Sequence, residues 1–578
     1  MNRFPQLASR AVRLAAAGLL LTAWPPLAAQ DPAQVLNLGA PAGDTLRGAA
    51  PDSVLTRIIN RFNDPATTRL EGKLDLAPGA SMAGTLALYG NLARIQGTVH
   101  GSVIILNGDL RISATGRVEG DIIVVGGRLT VAVGGVITGD TTVFERAAPV
   151  SRAPDGTVIR RKPGRSLTDL TTASASFALG PVAATLHLGA SAYNRTEGLP
   201  IQFGPSFLWR PGQKNTLQLD LNGIFRTASS ADANRPDLGW TGALVLRNAG
   251  KQPLTFRADA GSVIAPMTAR AYSPLESGLS AFLLRRDYRD WFATRGWGLS
   301  GEWSPTTALS VSAGMHQSRE RSVRATDAFS VFRSGEPWRA NPLIDEGRFQ
   351  TASIGLGYDT RDDKLHPTSG WWLRGELRRV TSGELTPASL PTEVRGTMPV
   401  SGYQSDQLDF DARYYLRLNP KNGVHIRAAG GGWIGGDPLL VQQRRAMGGG
   451  DPMAGYAFRF LNCDRRLRPD AAEPALCDRD LLLQGEFRRT LELNFNTRVG
   501  GYAFGIQRAD LVLFGDLGSA WLAGAGRGQV PSNRIQSIGE WRSDVGAGFD
   551  AGHFGIYIAK AIADPEPLRV LFRLQRRF

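Results

Sequence analysis

Cys463 and Cys477 are the only cysteines among 578 residues, and two thiols this close in sequence can form either a local disulfide or half of a metal site. No histidine lies beside them, so an oxidising compartment would join them in a disulfide that closes a small surface loop. The six histidines are dispersed, with His366 in a turn, and no Gly-x-Ser-x-Gly, His-Glu-x-x-His or phosphate-binding loop occurs. A hydrolase needs a nucleophile and a base on one strand face with an acidic partner, and no segment presents that set. No enzymatic activity, metal or cofactor is expected.

What remains is ionic chemistry. Lys and Arg number 66 against 52 Asp and Glu, a formal net charge of +14, most of the excess being arginine in strand ends and loops. Mixed charges at Asp359, Arg361 and Asp362 suit a structural ion-pair network. The run from Gly448, Gly449 and Gly450 to Gly455 suits a segment that bends sharply and approaches another backbone closely.

Elements that carry such charges must have a watery side. Leu217, Leu219 and Leu221 alternate with Gln218, Asp220 and Asn222, and Leu408, Phe410, Ala412, Tyr414, Leu416 and Leu418 alternate with Asp409, Asp411, Arg413, Tyr415 and Arg417. Leu481, Leu483, Phe487 and Leu491 alternate with Gln484, Glu486, Arg488 and Glu492 in the same way. In the terminal segment Leu568, Val570, Phe572, Leu574 and Phe578 face one way, with Arg569, Arg573, Gln575 and Arg577 on the other. Strands with two such different faces can set one against lipid and the other in a water-filled lumen, the only side where carboxylates and arginines are tolerable.

The other end of the sequence reads as a secretion signal: Arg3, Arg10 and Arg13, a short apolar core from Leu14 to Trp24, and a small-residue cleavage site before Gln30. No later stretch holds the roughly 18 apolar residues of a membrane helix, and only helices and closed barrels satisfy the backbone inside lipid. The expected fold is all-β, a transmembrane antiparallel β-barrel of about 16 strands. Outer-membrane lipid and lipopolysaccharide, rather than nucleic acid, are the natural partners of the positive charge.

Five regions are expected: a signal peptide (1–29), a linker with a short amphipathic helix (30–66), a β-solenoid (67–147), a second linker (148–175) and the barrel (176–578). The linker helix starts at Pro51 and Asp52 and places Val54, Leu55, Ile58, Ile59 and Phe62 on one face. The solenoid is read from a period of nineteen that relates Gly97, Gly116 and Gly135, and again Gly101, Gly120 and Gly139, each of the latter followed by a β-branched run. Glycine at every corner of a fixed repeat marks stacked coils, about four here. A second helix is expected in a barrel loop, with Ser273, Pro274 and Glu276 in capping positions and Leu275, Leu279, Phe282 and Leu283 as its packing face, over the barrel mouth or at the membrane surface.

The solenoid, with Gly-Thr-Val-His-Gly at 97–101 and Gly-Arg-Val-Glu-Gly at 116–120, resembles the bactofilin-like polymer-forming repeats. That resemblance implies end-to-end self-association; a spacer role fits the same residues. The barrel resembles the bacterial surface antigen family, the superfamily of BamA, TamA and the two-partner secretion transporters. Asp359-Thr360-Arg361-Asp362 with Pro367 and Gly370 is similar to its strand-pair motif. Gly448-Gly449-Gly450 through Gly455, Tyr456 and Arg459 is similar to its lumenal loop, Phe514 to Trp521 with Asp516 and Gly518 to its late strands, and Phe572, Leu574 and Phe578 to its terminal strand. Tyr193 to Leu199 is like the motif that opens the barrel in distant members.

Two departures stand out. Ala454 occupies the place of the family's lumenal arginine, so that lock is missing or is supplied by Arg459 or Arg444. No periplasmic POTRA module precedes the barrel. The resemblance implies a non-enzymatic factor for assembly or translocation of protein or lipid at the cell outer membrane, with a periplasmic N-terminal region and unfolded outer-membrane protein or lipid as clients. The alternative is a passive pore or envelope scaffold with a self-associating solenoid.

Overall fold

The structure is a computed structural model that describes residues 45–46 and 50–578, apart from 71, 145–146, 154, 161–171, 213, 229–237, 268–271, 365, 390–397, 400, 451, 464–473, 500–501, 526–528, 552–553 and 563. The expected signal peptide lies outside the described residues.

The nineteen-residue repeat closes into parallel coils. Val103 pairs with Ile122 and Ile122 with Thr141, and the coil faces form sheets of six, four and four strands. Val103, Ile105, Ile122 and Val124 fill the interior, each fully buried side chain being worth roughly 1.5–3 kcal/mol. Their neighbours Ile104, Leu106 and Val125 point outward and would be left wet. The helix Asp52–Asn63 covers them with Leu55, Ile58, Ile59 and Phe62. Burial on both sides explains why these strands read as unbroken aliphatic runs. Glycine recurs because the coils nearly touch: a Cβ on Gly120 would lie 2.5 Å from the carbonyl carbon of Gly101.

Part of the region expected as linker is ordered against the solenoid. Val150–Arg152 and Val158–Arg160 form a hairpin, and the Asn63 side chain donates to the Val158 carbonyl and accepts from its amide, both at 2.7 Å. Val150 and Val158 join the helix cluster.

The second body is one antiparallel sheet of 18 strands among the described residues. Sixteen run from Val182–Ala190 to Arg569–Arg573, each antiparallel to the next. Thr172–Leu179 is added before them through a turn at Gly180, and Leu385–Thr386 is a two-residue clip on Glu346 and Gly347. Burial is inverted relative to a soluble protein. On Arg479–Val499, Leu483 and Phe487 are 40% and 37% exposed, whereas Glu486 and Arg488 are 2% and 4% exposed. The apolar face is outside and the charged face inside, as a lipid-embedded barrel requires. Among the described residues no helix is long and apolar enough to cross a membrane.

The solenoid meets one rim, where Arg417 Nη1 lies 3.1 Å from Asp109 Oδ1. By strand alternation the loops 191–199, 267–290, 323–345 and 437–478 lie at the other, far rim.

Candidate functional site

The long connection 437–478 turns back against the inner wall. Gly448, Gly449 and Gly450 have φ of +115°, +82° and +75°, a run that only glycine adopts without strain. A Cβ on Gly448 would also lie 2.3 Å from the Ala457 carbonyl oxygen. These residues let the two arms fold together, with Met447 bridged to Leu461.

At the tip, Ala454 is buried among Val512, Phe514, Tyr557, Ala559 and Leu571. The Gly455 amide donates to Asp544 Oδ2 at 2.5 Å, and the Tyr456 hydroxyl has two acceptors for its one hydrogen, the Ser543 carbonyl and Asp564 Oδ2, both at 3.1 Å. Met447 and Met453 rest on Gly518, whose missing side chain makes the room. Thus Gly455, Tyr456 and Gly518 meet in one contact between loop and wall, while Gly448, Gly449 and Gly450 shape the turn behind it, Gly448 and Gly449 against the loop's other arm and Gly450 against the Tyr272 ring.

The same loop makes a second attachment. Arg459 pairs with the buried Asp290, which also receives Arg195 at 2.7 Å and Arg339 at 2.6 Å. Burial alone would raise the Asp290 carboxyl, but Arg459, Arg339 and Arg195 outweigh it and hold it well below the usual carboxylate range. Three far-rim loops and the long loop therefore share one carboxylate. Arg445 anchors the base of the loop to Asp480 at 3.2 Å and to Asp409 at 2.5 Å. Arg444 is spent on the carbonyls of Leu439 and Leu476. Of the two arginines proposed for the lock, Arg459 reaches a barrel-loop carboxylate. Arg445, Asp290 and Arg339 carried no sequence signal beyond charge; Arg195 lies in the barrel-opening motif.

Cys463 and Cys477 are bonded, with Cys477 wholly buried, so the bridge fastens the base of the inward loop; most of the loop it was expected to close, 464–473, lies outside the described residues. The other expected residues divide by rim. Asp359, Arg361, Asp362, Pro367 and Gly370 form a turn on the solenoid rim, apart from the long loop. Arg361 pairs with Asp359 at 2.8 Å, Asp362 accepts from the amides of Thr368 and Ser369 at 2.9 and 3.1 Å, and Gly370 has φ +111°.

The terminal strand departs from expectation. It spans Arg569–Arg573 alone, so Phe572 lies on its exposed face while Leu574 and Phe578 fall outside it, Phe578 being buried. The cause is electrostatic. Arg577 Nη2 lies 2.6 Å from Asp516 Oδ2 and its Nε 2.9 Å from Glu486 Oε1, with its guanidinium 3.7 Å from the centre of the Phe514 ring. Arg576 reaches Asp510 at 3.2 Å. These lumenal carboxylates draw residues 574–578 off the wall.

A model of the Omp85 superfamily domain matches residues 237–553. Among solved structures, BamA from Haemophilus ducreyi lacking POTRA domains 1–3 is 13% identical, with 68% of this chain and 70% of that one covered and a TM-score of 0.40. CdiB from Acinetobacter baumannii is 12% identical, covering 70% and 65%, and CdiB from Escherichia coli 11%, covering 73% and 66%, each with a TM-score of 0.30. No curated protein matches the chain.

Proposed function

This chain belongs to the Omp85 superfamily, and from that premise we propose that it is a non-enzymatic outer-membrane factor that assembles or translocates protein or lipid. The observation that carries the reading is the long loop seated on the inner wall at Gly455 and Asp544 and tied across the far rim by Arg459 and Asp290. Such a loop obstructs the lumen when docked and clears it when released, which suits a barrel that handles clients. Unfolded outer-membrane protein or lipid is the client, lipopolysaccharide and outer-membrane lipid are the surroundings, and the solenoid stands on the periplasmic side, in the position where a receiving module would dock partners.

The test is comparative proteomics and lipid analysis of outer membranes from depleted cells, complemented by the full chain or by a version lacking 70–144. Selective loss of a few surface proteins or lipids, restored by the full chain alone, supports the proposal. Unchanged composition sinks it. A second reading, a passive pore or scaffold, draws on the apolar seating of Ala454 and on the solenoid's contact with the rim through Asp109 and Arg417. It predicts a steady conductance in planar bilayers that deletion of 444–459 leaves unchanged.

A further inference from the structure

The two ends of the barrel sheet are tied by something other than a ladder. Among the described residues, no strand pairing joins Arg569–Arg573 to Val182–Ala190 or to Thr172–Leu179. Instead the helix Pro274–Leu284 touches both ends. At its first turn Glu276 Oε1 lies 2.8 Å from Arg573 Nε and accepts the Leu574 amide at 2.8 Å. The pair is buried, with side-chain exposures of 4% and 2%. Two residues along, Gly278 packs on the segment just past the first long strand: a Cβ there would lie 3.0 Å from the Tyr193 nitrogen and 3.2 Å from Ala192 Cβ. The Tyr193 ring then meets Phe282 edge to face at 5.3 Å.

The helix is built for this placement. Ser273 and Glu276 complete a reciprocal capping box, so Glu276 uses one oxygen to start the helix and the other to hold Arg573. Its buried side is Glu276, Ser277, Gly278 and Ala281, while Leu279, Leu283 and Leu284 are exposed. A loop helix that merely packed over the mouth would bury its leucines and leave its glutamate wet. Here Leu279, Leu283 and Leu284 face outward like Leu186, Leu188, Val570 and Phe572 on the strands that the helix joins.

We infer that this helix is a latch across the seam between the first and last barrel strands, and that the buried Glu276–Arg573 pair is its catch. Releasing the catch frees the short last strand, whose other edge has no ladder among the described residues. The inference stands apart from the client, since a pore and an assembly factor with this seam would both need it closed.

Glu276→Gln is the informative variant, because glutamine keeps the capping box while removing the charge from Arg573. In the purified full-length protein, hydrogen exchange of the amides of 569–574 should rise tenfold or more, exchange within 274–284 should stay within threefold of wild type, and planar-bilayer recordings should show added large openings. Arg573→Gln should match it, and Arg573→Lys should stay near wild type. Unfolded variants are set aside by heat-modifiable gel mobility, which reports the closed barrel. Unchanged exchange at 569–574 in both Glu276→Gln and Arg573→Gln overturns the latch. So does an equal rise throughout 274–284, which would mean that the pair only supports the helix.

Discussion

Gly455→Ala should undock the long loop from the wall, and the structure sets the size of the effect. A Cβ at this position would lie 2.6 Å from the Ala561 nitrogen, 2.7 Å from Asp544 Cβ and 2.7 Å from the Lys560 carbonyl carbon. Two of those three atoms are backbone of a paired strand and cannot step aside. Overpacking of this kind costs about 1–3 kcal/mol. Lifting the tip also breaks the hydrogen bond that the Gly455 amide donates to Asp544 Oδ2, worth about 0.5–1.5 kcal/mol. A combined loss of about 3 kcal/mol is a roughly 100-fold shift toward the undocked loop. Hydrogen exchange over 447–461 in the purified protein measures it directly, and conductance should become noisier. Gly485→Ala is the control, since nothing lies within 4 Å of the added carbon. If Gly455→Ala keeps exchange within threefold of wild type, the loop does not depend on this contact and the wall-docking argument fails.

Replacing Cys463 and Cys477 with serine removes a bridge between residues 14 apart; closure of a loop near this length is worth roughly 3 kcal/mol, so exchange at 474–478 should rise well before the barrel melts. Gly120→Ala forces a carbon against the Gly101 backbone and should lower the solenoid's stability by on the order of 2 kcal/mol, read as an earlier melting transition by circular dichroism, with barrel gel mobility unchanged. Asp478 is raised to about 6 by burial, against its bond from the Ala523 amide. Because the folded state there binds more protons than the unfolded one, its contribution falls as pH rises from about 4 through about 6. Asp478→Asn should flatten that stretch of the stability profile, and an unaltered profile would contradict the assignment.

The solenoid and the barrel strands were legible in the sequence because their physics is periodic. Nineteen-residue spacing of Gly101, Gly120 and Gly139 follows from backbones too close for a side chain. Alternation of Leu483 and Phe487 with Gln484, Glu486 and Arg488 follows from a wall between lipid and water. The helix Asp52–Asn63 was legible for the same reason, its apolar stripe having one surface to cover. The loop helix Pro274–Leu284 shows where such reading stops. Its leucine stripe and its capping box were both visible, yet Leu279 and Leu283 face out, Leu275 and Phe282 are only half-buried, and the capping glutamate faces in. A hydrophobic stripe reports amphipathicity without saying which side is lipid, and beside a membrane the usual direction of burial reverses. Asp290 was not legible at all, since its partners Arg195, Arg339 and Arg459 are far apart in sequence and meet only when the loops converge. Residues 574–578 misled because alternation continues past Arg573, while the lumenal carboxylates Asp516 and Glu486 bind Arg577 too strongly for the strand to continue.

That last competition connects the two unusual parts of this barrel. Every residue drawn inward by Asp510, Asp516 and Glu486 is one fewer available to ladder along the seam, so the last strand is left with five residues. Five residues make few interstrand hydrogen bonds on either edge, and an open edge inside lipid leaves backbone groups without partners at several kcal/mol each. A wall shortened at this point needs another tie, and Glu276 meets the strand at Arg573 and Leu574, where it ends. The lumenal arginine cluster and the loop helix thus act on opposite sides of one strand. Substituting Arg577, which holds the segment inside, should therefore lengthen the last strand and reduce its dependence on Glu276. In exchange measurements at 569–574, Arg577→Gln should blunt the effect of Glu276→Gln; simple additivity of the two changes would mean that the tail and the latch are independent.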